Sequence, residues 1–221
     1  MQINKQTLAV LKNFSTINTN LVVKVGKNIS TVSASKDILA TYSGELDFSK
    51  QISIFNLNEL LGVVSAFNSP EIGLDDKFMI ISEGTQKVKY VYADESNLSV
   101  PPEKKLVMPA PEVKFILTSE CLSRIRRMSG VLSADVMSII GNGKNIIARV
   151  MSSTDPTGNT FDVDLDKETT DTFNILFKVE KLKMLDGLDY EVEISSKKIS
   201  RFICSNPDLV YWIAVETGSV F

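Results

Sequence analysis

Histidine is absent from the 221 residues, which removes histidine-based triads, cysteine–histidine pairs and most zinc sites. Only two cysteines are present, Cys121 and Cys204. They lie far apart and fit no CxxC spacing, so neither a disulfide framework nor a metal-binding pair is expected, and a reducing interior suits the chain. No run of about 18 apolar residues occurs, and Met1-Gln2-Ile3-Asn4-Lys5-Gln6 puts no apolar segment behind a basic cluster. The expectation is no membrane span and no export signal. Gly141-Asn142-Gly143-Lys144 superficially matches a phosphate loop, but that motif needs GxxxxGK followed by Ser or Thr, and Asn145 follows here. A hairpin turn is the better reading.

What is present describes an ordinary folded protein, 43% hydrophobic and 23% charged, long enough for two cores of about 110 residues each. Four of the seven prolines, Pro101, Pro102, Pro109 and Pro111, crowd the middle of the chain. Proline has a fixed φ and no amide donor, so a stretch this dense in it reads as an extended linker. The expected organisation is a first domain over 1–100, a linker over 101–112 and a second domain over 113–221.

The same order of elements recurs four times, although no identities repeat. Asn4 to Ile17 places Leu8, Leu11 and Phe14 on one helical stripe, and alternating segments follow at Leu21–Val25, Ile29–Ala34 and Leu39–Tyr42. Gln51–Phe55 leads into a helical Asn56–Phe67, then strand candidates at Phe78–Ile81 and Lys87–Tyr92. In the second half Val113–Leu117 precedes a helix over Ser119–Ser129, with Leu122, Ile125 and Met128 inward, and strands at Val136–Ile140, Asn145–Met151 and Thr160–Leu165. Phe173–Phe177 then precedes a short helix near Lys178–Leu185 and strands at Tyr190–Ile194, Ile199–Cys204 and Leu209–Val215. Turn residues separate these segments at Gly141–Gly143, Pro156–Asn159 and Ser205–Pro207. The predicted class is α+β, with two similar domains of two helices each.

Chemistry-bearing clusters are few. Asp162, Asp164 and Asp166 alternate along a probable strand and share a face, which would suit a magnesium ion; a solvated outer sheet face explains them better. No pair of carboxylates can be given acid and base roles from spacing. The expectation is no catalytic residue, no metal, no cofactor and no enzyme activity. Charge is more informative. The whole chain is −3, yet the four helical segments carry eight basic residues, Lys5, Lys12, Arg124, Arg126, Arg127, Lys178, Lys181 and Lys183, against three acids, Glu59, Glu120 and Glu180. Lys5 and Lys12 are seven apart and share a helix face, and Arg124 and Arg127 point away from the apolar stripe. Such groups neutralise phosphates without reading bases. The plainer alternative is the wet face of a surface helix.

Leu11-Lys12-Asn13-Phe14-Ser15-Thr16-Ile17-Asn18 and Ile54-Phe55-Asn56-Leu57-Asn58-Glu59-Leu60-Leu61-Gly62 closely resemble the two first-domain helices of the sliding clamps of T-even-type bacteriophages. Arg127-Met128-Ser129-Gly130 and Phe221 resemble that family more loosely. The resemblance implies a DNA-clamp fold, with helices packed on curved antiparallel sheets, and a closed homotrimeric ring whose eight basic residues face an encircled duplex, bound non-specifically. It also implies apolar partner tails docking beside the linker, at Leu106, Val107, Met108 and Pro109, with Tyr211 or Trp212 reaching the same pocket. The implied partners are double-stranded DNA, the replicative DNA polymerase, an ATP-driven clamp loader and late-transcription factors, in the cytoplasm of an infected bacterial host. The second helix, Asn56–Phe67, has no basic residue at all, so its contribution to a DNA-facing wall would be polar or structural. The rival reading is a structural or assembly protein of a virus whose basic helix faces are incidental.

Overall fold

The computed structural model describes residues 1–155 and 157–221; the turn read at Pro156–Asn159 includes a residue outside them. Contacts divide the chain into two compact units, one of Met1–Lys105 with Ser205–Val210 and one of Leu106–Cys204 with Tyr211–Phe221.

The first unit opens with α1 (Lys5–Ile17), started by Asn4, whose side-chain oxygen accepts from the Thr7 amide at 2.7 Å. That bond satisfies one of the amides a helix leaves open at its start. The helix buries Val10, Leu11, Phe14 and Ile17, each large side chain contributing about 1.5–3 kcal/mol. Leu8 is only half-buried, whereas Thr7 is fully buried, its hydroxyl 3.3 Å from that of Tyr42. After α1 come β1 (Leu21–Val23), β2 (Gly26–Val32), β3 (Ile38–Phe48) and β4 (Ile52–Ile54); β1 pairs with β4 and β2 with β3, both antiparallel. Then α2 (Leu57–Ser65) begins at Asn56, whose side chain accepts from the Glu59 amide, and buries Leu57, Leu60, Leu61 and Val64. An antiparallel meander follows, β5 (Glu71–Leu74), β6 (Phe78–Glu83) and β7 (Gln86–Val91), in the order β5-β6-β7.

Residues 98–112 contain neither helix nor strand, as the proline density requires. The start of this stretch is tied back by Asn20, which accepts from the Ser99 amide, and by Lys24, 3.4 Å from Glu103.

In the second unit, β8 (Val113–Leu117) alternates buried and exposed residues and leads into α3 (Ser119–Leu132), capped by Thr118. The next strands are β9 (Val136–Asn142), β10 (Asn145–Met151), β11 (Phe161–Glu168) and β12 (Thr172–Lys178), forming a sheet in the order β11-β10-β9-β12. Gly143, at φ +81°, makes the tight β9–β10 turn, so Gly141–Lys144 is a hairpin. Finally β13 (Tyr190–Ser195), β14 (Ile199–Ser205) and β15 (Asp208–Ala214) lie beside β8 in the run β8-β13-β14-β15.

The helix expected at Lys178–Leu185 is a correction. Only a single 3₁₀ turn forms, Val179–Lys181, and Lys178 gives it no side-chain cap. Three α-helices are therefore present among the described residues, two in the first unit and one in the second.

Candidate nucleic-acid interface

Helix geometry decides which basic groups can meet a ligand. In α1 the buried residues Val10, Phe14 and Ile17 define one face; Lys5 and Lys12 lie opposite, both exposed. In α3, Cys121, Leu122 and Ile125 are buried, whereas Arg124 and Arg127 are exposed. Lys5, Lys12 and Arg127 pair with no protein group among the described residues. Arg124 has a partner one turn back, Glu120 at 2.5 Å, an exposed pair that holds it only weakly.

The remaining predicted cations differ. Arg126 is engaged within the protein: its guanidinium donates to the Leu182 carbonyl from Nε at 3.2 Å and to the Met184 carbonyl from Nη2 at 2.8 Å, and it pairs with Asp186. Lys181 lies 2.7 Å from Glu216, with both side chains largely covered. Lys178 and Lys183 are half-buried. The exposed helix cations are thus Lys5 and Lys12 on α1 and Arg124 and Arg127 on α3, and among the described residues no fourth helix adds to them.

The alternating aspartates form no ion site. Arg149 grips Asp162 with two bonds of 2.7 Å, and that guanidinium holds the carboxyl below its ordinary range. Asn145 donates to Asp164. Asp166 takes φ +51° beside a register shift in the β10–β11 pairing, which breaks the alternation assumed from sequence. Among the described residues no group of acids or cysteines has metal-binding geometry. Both cysteines are buried and free, and burial pushes the Cys121 thiol up to about 11, far from a reactive thiolate. No helix of the described residues is long and apolar enough to cross a membrane.

Around the linker, Leu106 is 40% and Val107 80% exposed, while Met108 and Pro109 are half-buried. Tyr211 and Trp212, the two aromatic residues predicted for the same pocket, are both buried. Tyr211 is wholly buried, edge-on to Tyr190, its hydroxyl accepting from the Leu185 amide at 3.1 Å. Trp212, next along β15 and so on the opposite face, is 8% exposed beneath the Arg201 guanidinium.

One feature escaped sequence reasoning. β7 and β11 each end their sheets, leaving an unpaired edge. Lys87, Lys89 and Val91 are exposed along β7, and Asp162, Asp164, Asp166 and Glu168 lie along β11. The Lys-Val-Lys-Tyr-Val alternation was the available signal, and it has meaning only once the acidic edge is known.

Solved structures share this arrangement. A. fulgidus PCNA, bound to the C-terminal region of FEN-1, superposes with a TM-score of 0.71 at 12% identity, over 95% of this chain and 94% of that one. The Helicobacter pylori beta clamp bound to a DNA ligase peptide gives 0.72 at 12% identity, over 98% of this chain and 65% of the larger one. The architecture is the DNA-clamp fold. Among curated proteins, the sliding clamp of Vibrio phage KVP40 is 30% identical over 98% of this chain and 99% of its own length, and that of Escherichia phage RB69 is 27% identical over 99% and 98%. The chain belongs to the sliding-clamp family of T4-like bacteriophages. No family model matches it.

Proposed function

We propose that three copies of this chain close into a ring around duplex DNA and tether the replicative polymerase without catalysing any step themselves. The observation that carries ring closure is the pair of unpaired, oppositely charged strand edges. An open strand edge is a template for another chain, and a basic edge on one copy meeting an acidic edge on the next is a head-to-tail contact, which closes when the rotation allows. Lys87 and Lys89 would face the aspartates of a neighbouring β11. This reading treats 1–100 and 113–221 as the two clamp domains of each copy and 101–112 as their linker, giving six domains around the hole.

On this reading the DNA-facing cations are Lys5, Lys12, Arg124 and Arg127, with Lys178, Lys181 and Lys183 contributing from the second unit's irregular segment. Contacts made by long cationic side chains are independent of sequence and weaken with salt, as a sliding ring requires. An ATP-driven loader would open the ring. Polymerase, loader and late-transcription factors would dock by short apolar tails on Leu106, Val107, Met108 and Pro109, of which Leu106 and Val107 are exposed apolar side chains of the kind that marks a partner surface. The setting is the cytoplasm of an infected bacterium.

Charge reversal at the basic edge tests closure. The double change Lys87→Glu and Lys89→Glu should reduce the sedimenting species from three chains to one, while Lys87→Arg with Lys89→Arg should leave three. A reversed edge that still sediments as three chains would place the interface elsewhere.

A further inference from the structure

The segment that stands where a fourth helix was expected has no hydrogen-bond ladder of its own. After the 3₁₀ turn, which accounts for the Leu182 amide through the Val179 carbonyl at 3.0 Å, the Lys183 amide closes a tight turn on the Lys181 carbonyl at 2.8 Å, and the chain continues without helix or strand to a turn at Asp186 and Gly187. Its buried polar backbone groups must still find partners. They find them on three side chains, two of them, Arg126 and Tyr211, distant in sequence. Tyr211 accepts from the Leu185 amide, and the Tyr190 hydroxyl donates to the Leu185 carbonyl at 2.7 Å. Arg126 supplies the rest: its fork serves the carbonyls of Leu182 and Met184 and the carboxylate of Asp186.

Leu182 and Met184 are buried, at 2% and 1% exposure, so their side chains anchor the segment to the core while Arg126 satisfies the carbonyls between them. The Arg126 side chain is itself only 26% exposed. A lysine at this position would bring the same charge but not the geometry, because an ammonium cannot reach two carbonyls and a carboxylate as a planar guanidinium does.

We propose that Arg126 is a positioning residue of the DNA-facing surface: it holds the irregular segment 182–186 against α3 and so fixes where Lys181 and Lys183 stand, without touching phosphate itself. The positioning is a property of the folded chain; only its consequence for DNA rests on the clamp reading above.

Two readouts on the full-length protein separate this role from a phosphate contact. Arg126→Gln and Arg126→Lys should both accelerate amide hydrogen exchange at Leu182 and Leu185, by about 10- to 100-fold for the loss of hydrogen bonds to a charged group. Arg127→Gln should leave that exchange unchanged and reduce the salt slope of DNA retention by about one. Asp186→Asn should speed exchange without strengthening DNA retention. The proposal is overturned if Arg126→Lys exchanges like the unaltered protein, or if Arg126→Gln lowers the salt slope while exchange at 182–185 stays put. Should the protein fail to hold DNA at all, the exchange comparison between Gln and Lys at 126 still decides the positioning claim on its own.

Discussion

The second element of each half, α2 in the first unit and residues 178–187 in the second, meets the same requirement by different physics. The nine residues of α2 close their own backbone bonds and bury four apolar side chains, so the element is held by packing that its local sequence encodes. The 178–187 segment buries Leu182 and Met184 and closes short turn bonds at Leu182 and Lys183, but takes its remaining side-chain partners from Arg126, Tyr190 and Tyr211. A helix carries its partners within itself; an irregular segment depends on residues outside it. Equivalent places in a repeated fold therefore fail in different ways.

The largest expected effect is at the packed element. Leu57→Ala, at a wholly buried position, should cost about 2–5 kcal/mol in urea unfolding, since both the transfer term and the residual cavity count against it. A loss below about 1 kcal/mol would mean that α2 is not held chiefly by packing.

At the borrowed element the loss should be smaller and local. Tyr211→Phe keeps the ring against Tyr190 but leaves the Leu185 amide unpaired, costing about 1–3 kcal/mol, with exchange at Leu185 rising most. Exchange that rises equally along α2 would show that the two elements unfold as one and would break the contrast.

Acid sensitivity gives the finest test. Glu193 is buried in the second unit between Lys114 at 3.0 Å and Arg201 at 2.5 Å. Burial alone would raise its carboxyl, but the two cations outweigh it and hold the pKa below the ordinary 4.5. A carboxyl depressed in the folded state contributes stability above its unfolded pKa and loses it as pH falls through the folded value. Glu193→Gln should therefore flatten the loss of stability below about pH 4.5. The first unit's ion pairs, Lys24–Glu103 and Lys50–Asp76, are exposed and should give no comparable dependence. Equal acid dependence with Glu193 or Gln at this position would refute the assignment.

How much of this could be read from the chain follows the same division. Helices α1 and α3 were legible because caps at Asn4 and Thr118 precede apolar stripes of helical period. The hairpin at Gly143 was legible from turn chemistry. Val179–Leu185 misled because its residues are good helix formers, while the group that overrides them, Arg126, lies 56 residues before Leu182. The same distance hid the bonds that Arg126 makes within the protein, so that it looked like one more cation in a basic cluster. The burial of both Tyr211 and Trp212 was hidden because adjacent strand residues face opposite ways and the sequence did not say that both faces of β15 were covered. The exposure of Lys5, Lys12 and Arg127 was readable from helical phase alone.

The central claim is topological, and retention on DNA of different form tests it most directly. After loading at moderate salt, the protein should stay on circular DNA and run off linear DNA through its free ends, with a solution mass of three chains. Equal retention on circles and linear molecules, or a chain that stays single, would contradict an encircling ring.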